Sequence, residues 1–187
     1  MEAERRVAAL HHYPELNGCG MAQPAPEIGL ATKDDIAGIL ELQAANQPDR
    51  GGMLSARLPP ERFETALLDL PLLVARRQRR IVGYLMSFSL SAQTAGIPIV
   101  QAMLKVYSGG PNTYIYGPIC ISEDERGQGL AGALFAALCA RMPGRECITF
   151  IRADNAASLR AHAKMGMRIV GEYTHDAVDL VILAYKG

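Results

Sequence analysis

The chain has 187 residues, 49% hydrophobic and 20% charged, with Lys plus Arg and Asp plus Glu balanced at 19 each. That length suits one domain with a sizeable core, and the neutral balance excludes a nucleic acid or an anionic membrane held by bulk charge. The four cysteines, Cys19, Cys120, Cys139 and Cys147, contain no CxxC pair, so no zinc or other metal site and no disulfide framework is expected, and a reduced, cytoplasmic setting fits.

In residues 1–25 acidic side chains stand beside basic ones and the apolar run is short, a poor signal peptide. His11 and His12 are adjacent rather than spaced for one metal. The segment reads as a mobile extension ahead of a domain over 26–187. No run of about 18 apolar residues occurs that could span a bilayer.

A short strand is expected over 27–31. Thr32 then caps a helix, Asp35 favours its positive end, and Ile36, Ile39 and Leu40 form its apolar stripe. The loop NQPDRGGMLSARLPP follows, rich in turn formers and long enough to be functional. PERFETALLDL predicts a second helix with proline in its first turn. LLVARRQRRIVGYLMSFSL predicts a hairpin about a basic turn at Arg76–Arg80, and that turn reads as solvated rather than as a binding patch. Residues 90–112 stay open between helix and loop.

From Thr113 the signals sharpen. TYIYGPICIS has the β-branched and aromatic content of a strand, and Gly117-Pro118 lies in its middle. Proline cannot donate to the ladder, so a bulge or a parting from the neighbouring strand is expected there, with backbone groups left open. Strict alternation would put Tyr114, Tyr116 and Cys120 on one face, with Glu123 at the strand's end. A helix over 129–142 carries Leu130, Leu134, Ala137 and Leu138 at helical spacing. Then come a strand, ECITFIRA, a helix, DNAASLRAHAKMG, ended by Gly166, and two strands joined near His175. The order describes an α/β (α+β) chain with a mixed sheet and no internal repeat.

The stretch ERGQGLAGALFAAL places a glycine turn at a helix start. Gly127, Gly129 and Gly132 satisfy GxGxxG, and Asp154 ends the next strand where a dinucleotide fold wants its ribose acid. Two features oppose a nicotinamide-dependent oxidoreductase. Five polar residues, Ser122–Arg126, separate the strand from the first glycine, and too little chain remains for further strand and helix units. The same physics serves another ligand: unpaired N–H groups of residues 127–132, the helix dipole and Arg126 can cradle a pyrophosphate. If it belongs to coenzyme A, the amide-rich pantetheine arm could add as a strand where the chain parts at Gly117-Pro118.

At these residues the sequence resembles the GNAT acyltransferase superfamily. Arg126-Gly127-Gln128-Gly129-Leu130-Ala131 matches the family's [RQ]-x-x-G-x-[GA] loop, and NAASLRAHAKMGM resembles its N-x-x-[AS]-[LIV]-x-x-Y-x-K-x-G-[FM] helix at family spacing. The resemblance covers most of residues 27–187 and is strongest over 113–172. It implies one domain with a mostly antiparallel central sheet, a splayed strand pair and flanking helices.

The resemblance also implies acetyl-CoA as the cosubstrate. Backbone of Ile119 and Ile121 would meet pantetheine, and Arg126, Gly127, Gln128, Gly129, Leu130, Ala131 and Gly132 the pyrophosphate. Asn155 would contact the same ligand. Asn155, Ser158 and His162 share one helix face by their i, i+3, i+7 spacing, Ala156, Leu159 and Ala163 make an apolar stripe beside it, and Arg160 and Lys164 could reach a nucleotide phosphate.

One departure stands out: His162 occupies the position of the tyrosine that in many members protonates the leaving thiolate. An imidazolium, or a water held by the histidine, could supply that proton. The implied reaction is direct attack of a neutral primary amine on the thioester, with Glu123 as the base and His175 second. Tyr114, Tyr116 and His175 are the candidate acceptor contacts. Cys120 could suggest an acyl-cysteine route, against which a small buried apolar role is the default. A small amine acceptor is preferred to a protein, and a homodimer is compatible with the fold. A coenzyme A binding module without turnover is the alternative, with the oxidoreductase third.

Overall fold

The computed structural model describes residues 24–54, 56–91, 94 and 96–187; Cys19, His11, His12 and nearly all of the expected extension lie outside them. The described chain runs β1 (Glu27–Leu30), α1 (Ile36–Ala45), α2 (Pro60–Ala66), β2 (Leu73–Arg77), β3 (Arg80–Ser89), α3 (Pro98–Val106), β4 (Tyr114–Ile121), α4 (Leu130–Arg141), β5 (Glu146–Arg152), α5 (Ala156–Lys164), β6 (Arg168–His175) and β7 (Val178–Lys186). Residues 90–112, undecided from sequence, hold α3, entered through Pro98 in its first turn.

The seven strands form one sheet in the order β1-β2-β3-β4-β5-β7-β6, antiparallel except for β4 beside β5. The β4–β5 pairing lasts only for Tyr114 opposite Cys147 and Ile115 opposite Ile148. Beyond it the strands part, as the Gly117-Pro118 pair led one to expect. On β3 the register shifts so that Leu85 faces Ile119 while Ser87 faces Tyr116, leaving Gly117 and Pro118 opposite Met86 alone. Two residues against one is a bulge, and it inverts the alternation downstream.

The inversion corrects the shared face expected for Tyr114, Tyr116 and Cys120. Tyr114, Tyr116, Ile119 and Ile121 pack on the face covered by α4, with Leu134, Phe135 and Leu138. Cys120 lies on the opposite face, with Tyr84, Phe63 and the α1 residues Ile36, Ile39 and Leu42. On that face α3 covers the far strands through Val100, Met103, Ile148 and Ile182. Tyr116 meets Phe135 edge-on, centroids 5.4 Å apart, and Phe135 meets Tyr185 at 5.1 Å; such pairs add about 0.5–1.5 kcal/mol each to area burial.

The basic turn is neither simply solvated nor a binding patch. Arg76 forms a bidentate pair with Asp35 at the start of α1, at 2.9 and 2.6 Å. Arg77 pairs with Glu125 and Arg80 with Asp124, which fastens the hairpin to the turn after β4.

Candidate active site

Backbone direction defines the cleft between β4 and β5. Ser122 N–H donates to Val82 O at 2.9 Å, and Ile121 faces Gly83. That register makes Ile121 and Ile119 non-hydrogen-bonded pairs with β3, so their N–H and C=O groups point the other way, into the cleft. On the far wall Ala153 N–H donates to Asp179 O at 2.9 Å and Arg152 faces Leu180. By the same rule Phe150 and Arg152 turn their backbone groups inward. The two walls offer an extended ligand a strand's set of partners on either side.

At the cleft's open end the chain turns into α4. Gly127 and Gly129 have φ of 75° and 82°, the left-handed region that favours glycine. Gly129 is the N-cap of α4, and the first intrahelical donor is Ala133 N–H to Gly129 O at 3.0 Å. The N–H groups of Leu130, Ala131 and Gly132 precede it and carry the positive end of the dipole. A Cβ built at Gly127, Gly129 or Gly132 would meet nothing within 4 Å. The turn is open to a ligand, and a side chain at any of the three would stand in that open space.

Acidic residues crowd this turn, and arginines neutralise them. Arg77 reaches Glu125 Oε2 at 2.9 Å with a second contact through Nε, and these hydrogen bonds hold the Glu125 carboxyl below its ordinary range. Asp124 is lowered by Ser122 Oγ at 2.6 Å and Arg80 Nη2 at 2.5 Å. Gln128 braces the turn through Nε2 to Asp124 O at 2.8 Å.

Helix α5 begins beside the other wall. Asn155 caps it, its Oδ1 accepting from Ser158 N–H at 3.1 Å, which leaves its Nδ2 donors for a ligand. The buried residue of α5 is His162, 3% exposed. Leu159 is half-buried beside it, whereas Ala156 and Ala163 of the expected stripe are exposed, as are Arg160 and Lys164. His162 Nδ1 lies 2.7 Å from Ser158 O and 3.3 Å from Ser158 Oγ. A carbonyl only accepts, so Nδ1 carries the proton. Burial lowers the His162 pKa, with the Ser158 carbonyl opposing, which favours the neutral ring over the imidazolium. Tyr116 packs edge-on against it at 5.4 Å.

The candidate acceptor contacts separate. Tyr114 and Tyr116 are each 1% exposed, in the core under α4; burial raises both phenols. They pack the sheet that shapes the cleft rather than line an open surface. Cys120 is also buried, its thiol pushed up to about 12 by burial, which leaves no thiolate for an acyl-enzyme. Glu123 is exposed at the end of β4. His175 is half-buried at the β6–β7 turn, 3.4 Å from Asp176. Because Arg152 faces Leu180 and Tyr173 faces Leu180 in turn, that turn projects past the end of β5 where the cleft opens.

Several site-forming residues were not singled out from sequence. Gln43 of α1, with Asn46 and Gln47 just past its end, continues the buried side of Ile39; the three are 4–6% exposed. Gln43 bonds both the N–H and the C=O of Leu58, at 2.9 and 2.8 Å, and Gln47 bonds Ala56 O at 2.9 Å, so the loop toward α2 is stitched to the helix. Amides at apolar-stripe spacing were the available signal. Asp154, the ribose acid of the dinucleotide reading, is bound by Arg152 at 2.9 and 2.6 Å. Among the described residues there is no cluster of His, Cys, Asp and Glu able to hold a metal, and no helix long and apolar enough to cross a membrane.

Comparison with known proteins agrees with the fold. The family model for the acetyltransferase (GNAT) family matches residues 25–167. Similar solved structures include an N-acetyltransferase from Staphylococcus aureus Mu50, 21% identical, TM-score 0.64, covering 87% of this chain and 99% of that one. A phosphinothricin acetyltransferase from Sinorhizobium meliloti, solved in complex with acetyl-CoA, is 20% identical with TM-score 0.65, over 87% and 89% of the two chains. A ribosomal-protein-alanine N-acetyltransferase from Brucella melitensis is 20% identical with TM-score 0.63, over 86% and 99%. No curated protein matches the sequence significantly. With three-quarters of its length matched by the family model, the chain belongs to the acetyltransferase (GNAT) family.

Proposed function

We propose that the protein transfers an acetyl group from acetyl-CoA to the primary amine of a small acceptor, with residues 26–187 as the catalytic domain. The observation that carries this is the continuity of two features. The cleft-facing backbone of Ile119 and Ile121 leads, through the short turn Ser122–Arg126, to the glycine turn and the open N-terminus of α4. An extended, amide-rich arm ending in a pyrophosphate has the shape and polarity of that path. Acetyl-CoA supplies an activated acyl carbon when bound.

The chain's own groups then have defined tasks. N–H groups of Leu130, Ala131 and Gly132 face the phosphates with Arg126 beside them, and Asn155 Nδ2 and Lys164 contact the same ligand from α5. A cleft-facing N–H of β4, that of Ile119, polarises the thioester carbonyl. The attacking ammonium must lose a proton first; Glu123 at the end of β4 takes it, directly or through water, with His175 across the opening as the second candidate. A thiolate whose pKa is near 8.5 needs little help to leave; the proton taken from the ammonium is released to solvent, from which the thiolate is protonated, and the neutral His162, with Nε2 free to accept, orients a water beside the sulfur.

A coenzyme A binder without turnover is the second reading, favoured by the burial of Tyr114, Tyr116 and His162, which leaves Glu123 as the charged candidate nearest the cleft. Calorimetric titration with acetyl-CoA, wild type beside Gly132→Trp, tests the site: micromolar binding lost in the variant supports it, and no binding to folded wild type overturns it. A screen of small amines for free-thiol release then separates the readings, since only the enzyme releases coenzyme A in an acceptor-dependent way.

A further inference from the structure

Arg62, Thr65, Asp69, Phe88 and Ser89 line a cavity of about 340 Å³ between α2 and the end of β3. Phe88 packs against the core beneath α1 and α2 and also against the core beneath α3. The cavity therefore stands at the seam between those helices, on the face of the sheet away from α4. Phe88 faces Ile115, the last residue of β4 that pairs with β5, and Met86 lies opposite the Gly117-Pro118 bulge. Two residues of β3, about 7 Å of strand, thus separate the Phe88 end of the cavity from the point where the cleft opens. Both signs of charge line it. The half-buried Arg62 guanidinium stands over the Phe88 ring, 5.6 Å from its centroid. Asp69 Oδ2 accepts from Ser89 N–H at 2.8 Å. Among the described residues neither Arg62 nor Asp69 forms an ion pair. A cation and an anion share one cavity, and each is left to a ligand group of the opposite sign.

We propose that this cavity is the acceptor subsite, that it holds the α-carboxylate and α-ammonium of a diamino acid, and that the side-chain amine of that acid is the one acetylated. The proposal rests on the reading of the cleft as the place of acetyl transfer. A donor lying along the starts of α4 and α5 takes up the face of the sheet that those helices cover, so the acceptor reaches the thioester from the other face, where the cavity lies. Arg62 takes the carboxylate through charge-assisted hydrogen bonds, and Asp69 takes the α-ammonium. With the head group held there, the side chain of lysine or ornithine spans the distance to the bulge and brings its second amine to the thioester carbonyl at Ile119. The amine nitrogen bonds to the acetyl carbon and the carbon–sulfur bond breaks, its electron pair leaving on sulfur. Of the two protons the ammonium nitrogen gives up, one goes through Glu123 to solvent and one, by way of water, to the thiolate.

Thiol release from acetyl-CoA, measured with lysine, ornithine, cadaverine and 6-aminohexanoate, tests the subsite. Cadaverine is lysine without its carboxylate, and 6-aminohexanoate is lysine without its α-ammonium. Wild type is expected to use lysine or ornithine with kcat/KM about tenfold or more above either truncated amine, the worth of one charge-assisted hydrogen bond, and to place the acetyl group on the side-chain nitrogen. Arg62→Gln should raise the KM of the diamino acid to that of cadaverine and leave cadaverine itself unchanged, with Arg62→Lys restoring part of the difference. Asp69→Asn, which keeps an acceptor for Ser89 N–H, should erase the preference over 6-aminohexanoate. Melting curves and calorimetric acetyl-CoA affinity should match wild type in all three variants. Equal use of the truncated amines, an unchanged preference in Arg62→Gln and Asp69→Asn, or acetylation of the α-nitrogen overturns the subsite. Release with some other amine but none of these four also overturns it and leaves acetyl transfer standing. Bound acetyl-CoA with no release for any amine overturns both.

Discussion

Arg77 grips Glu125 with both Nε and Nη2, the latter at 2.9 Å, and so ties the β2–β3 hairpin to the turn that opens onto α4. The pair removes a negative charge from the approach to the phosphate cradle and fixes the turn's position. Arg77→Met is therefore expected to weaken acetyl-CoA binding and to lower the melting temperature, whereas Arg79→Met at the hairpin's tip changes neither. Titration calorimetry and thermal melts on both variants check this.

Glu125 and Asp124 have folded-state pKa values below their ordinary ones, chiefly through Arg77 and through Ser122 with Arg80. Their stabilisation is complete above the ordinary carboxylate range, about 4, and is lost as pH falls through the lowered values. Urea unfolding at stepped pH should show stability falling through and below that range, with a smaller slope for Arg77→Met. Equal slopes would count against the pair.

For His162 burial lowers the folded pKa, so its contribution is complete above about 6.5, where the unfolded side chain is also neutral, and declines as pH falls below that. His162→Gln should flatten the stability profile in this window. A ring-proton NMR titration of wild type should show a midpoint below 6.5, and a raised midpoint would contradict the buried, Ser158-bound tautomer.

Tyr116→Phe separates packing from acceptor contact. The hydroxyl's contact is a 3.9 Å approach to Met165 Sδ, so its removal should cost less than about 1 kcal/mol and leave acceptor KM unchanged. Leu138→Ala, fully buried on the sheet-facing side of α4, should cost about 2–5 kcal/mol. Chemical denaturation measures both.

Much of the fold was legible because local chemistry and tertiary packing agree. The Gly117-Pro118 pair marked the parting of β4 from β5, and Gly127 to Gly132 marked the start of α4. What misled was the bulge itself: alternation read through it placed Cys120 with Tyr114 and Tyr116, and one extra residue reversed the face. The basic turn read as solvated because its partners, Asp35, Asp124 and Glu125, lie 41 to 48 residues away. Asn46 escaped notice for the same reason, its partner Arg126 being 80 residues distant. Pairings between far segments leave no local period to read.

The most direct measurement is amide NMR of the cleft strand with and without acetyl-CoA. The amides of Ile119 and Ile121, with those of Leu130, Ala131 and Gly132, should shift and gain exchange protection, while Cys120, whose N–H faces β3, keeps its protection unchanged. Binding that perturbs none of the cleft-facing amides, or Cys120 as strongly as its neighbours, would contradict the cleft as the acyl-donor site.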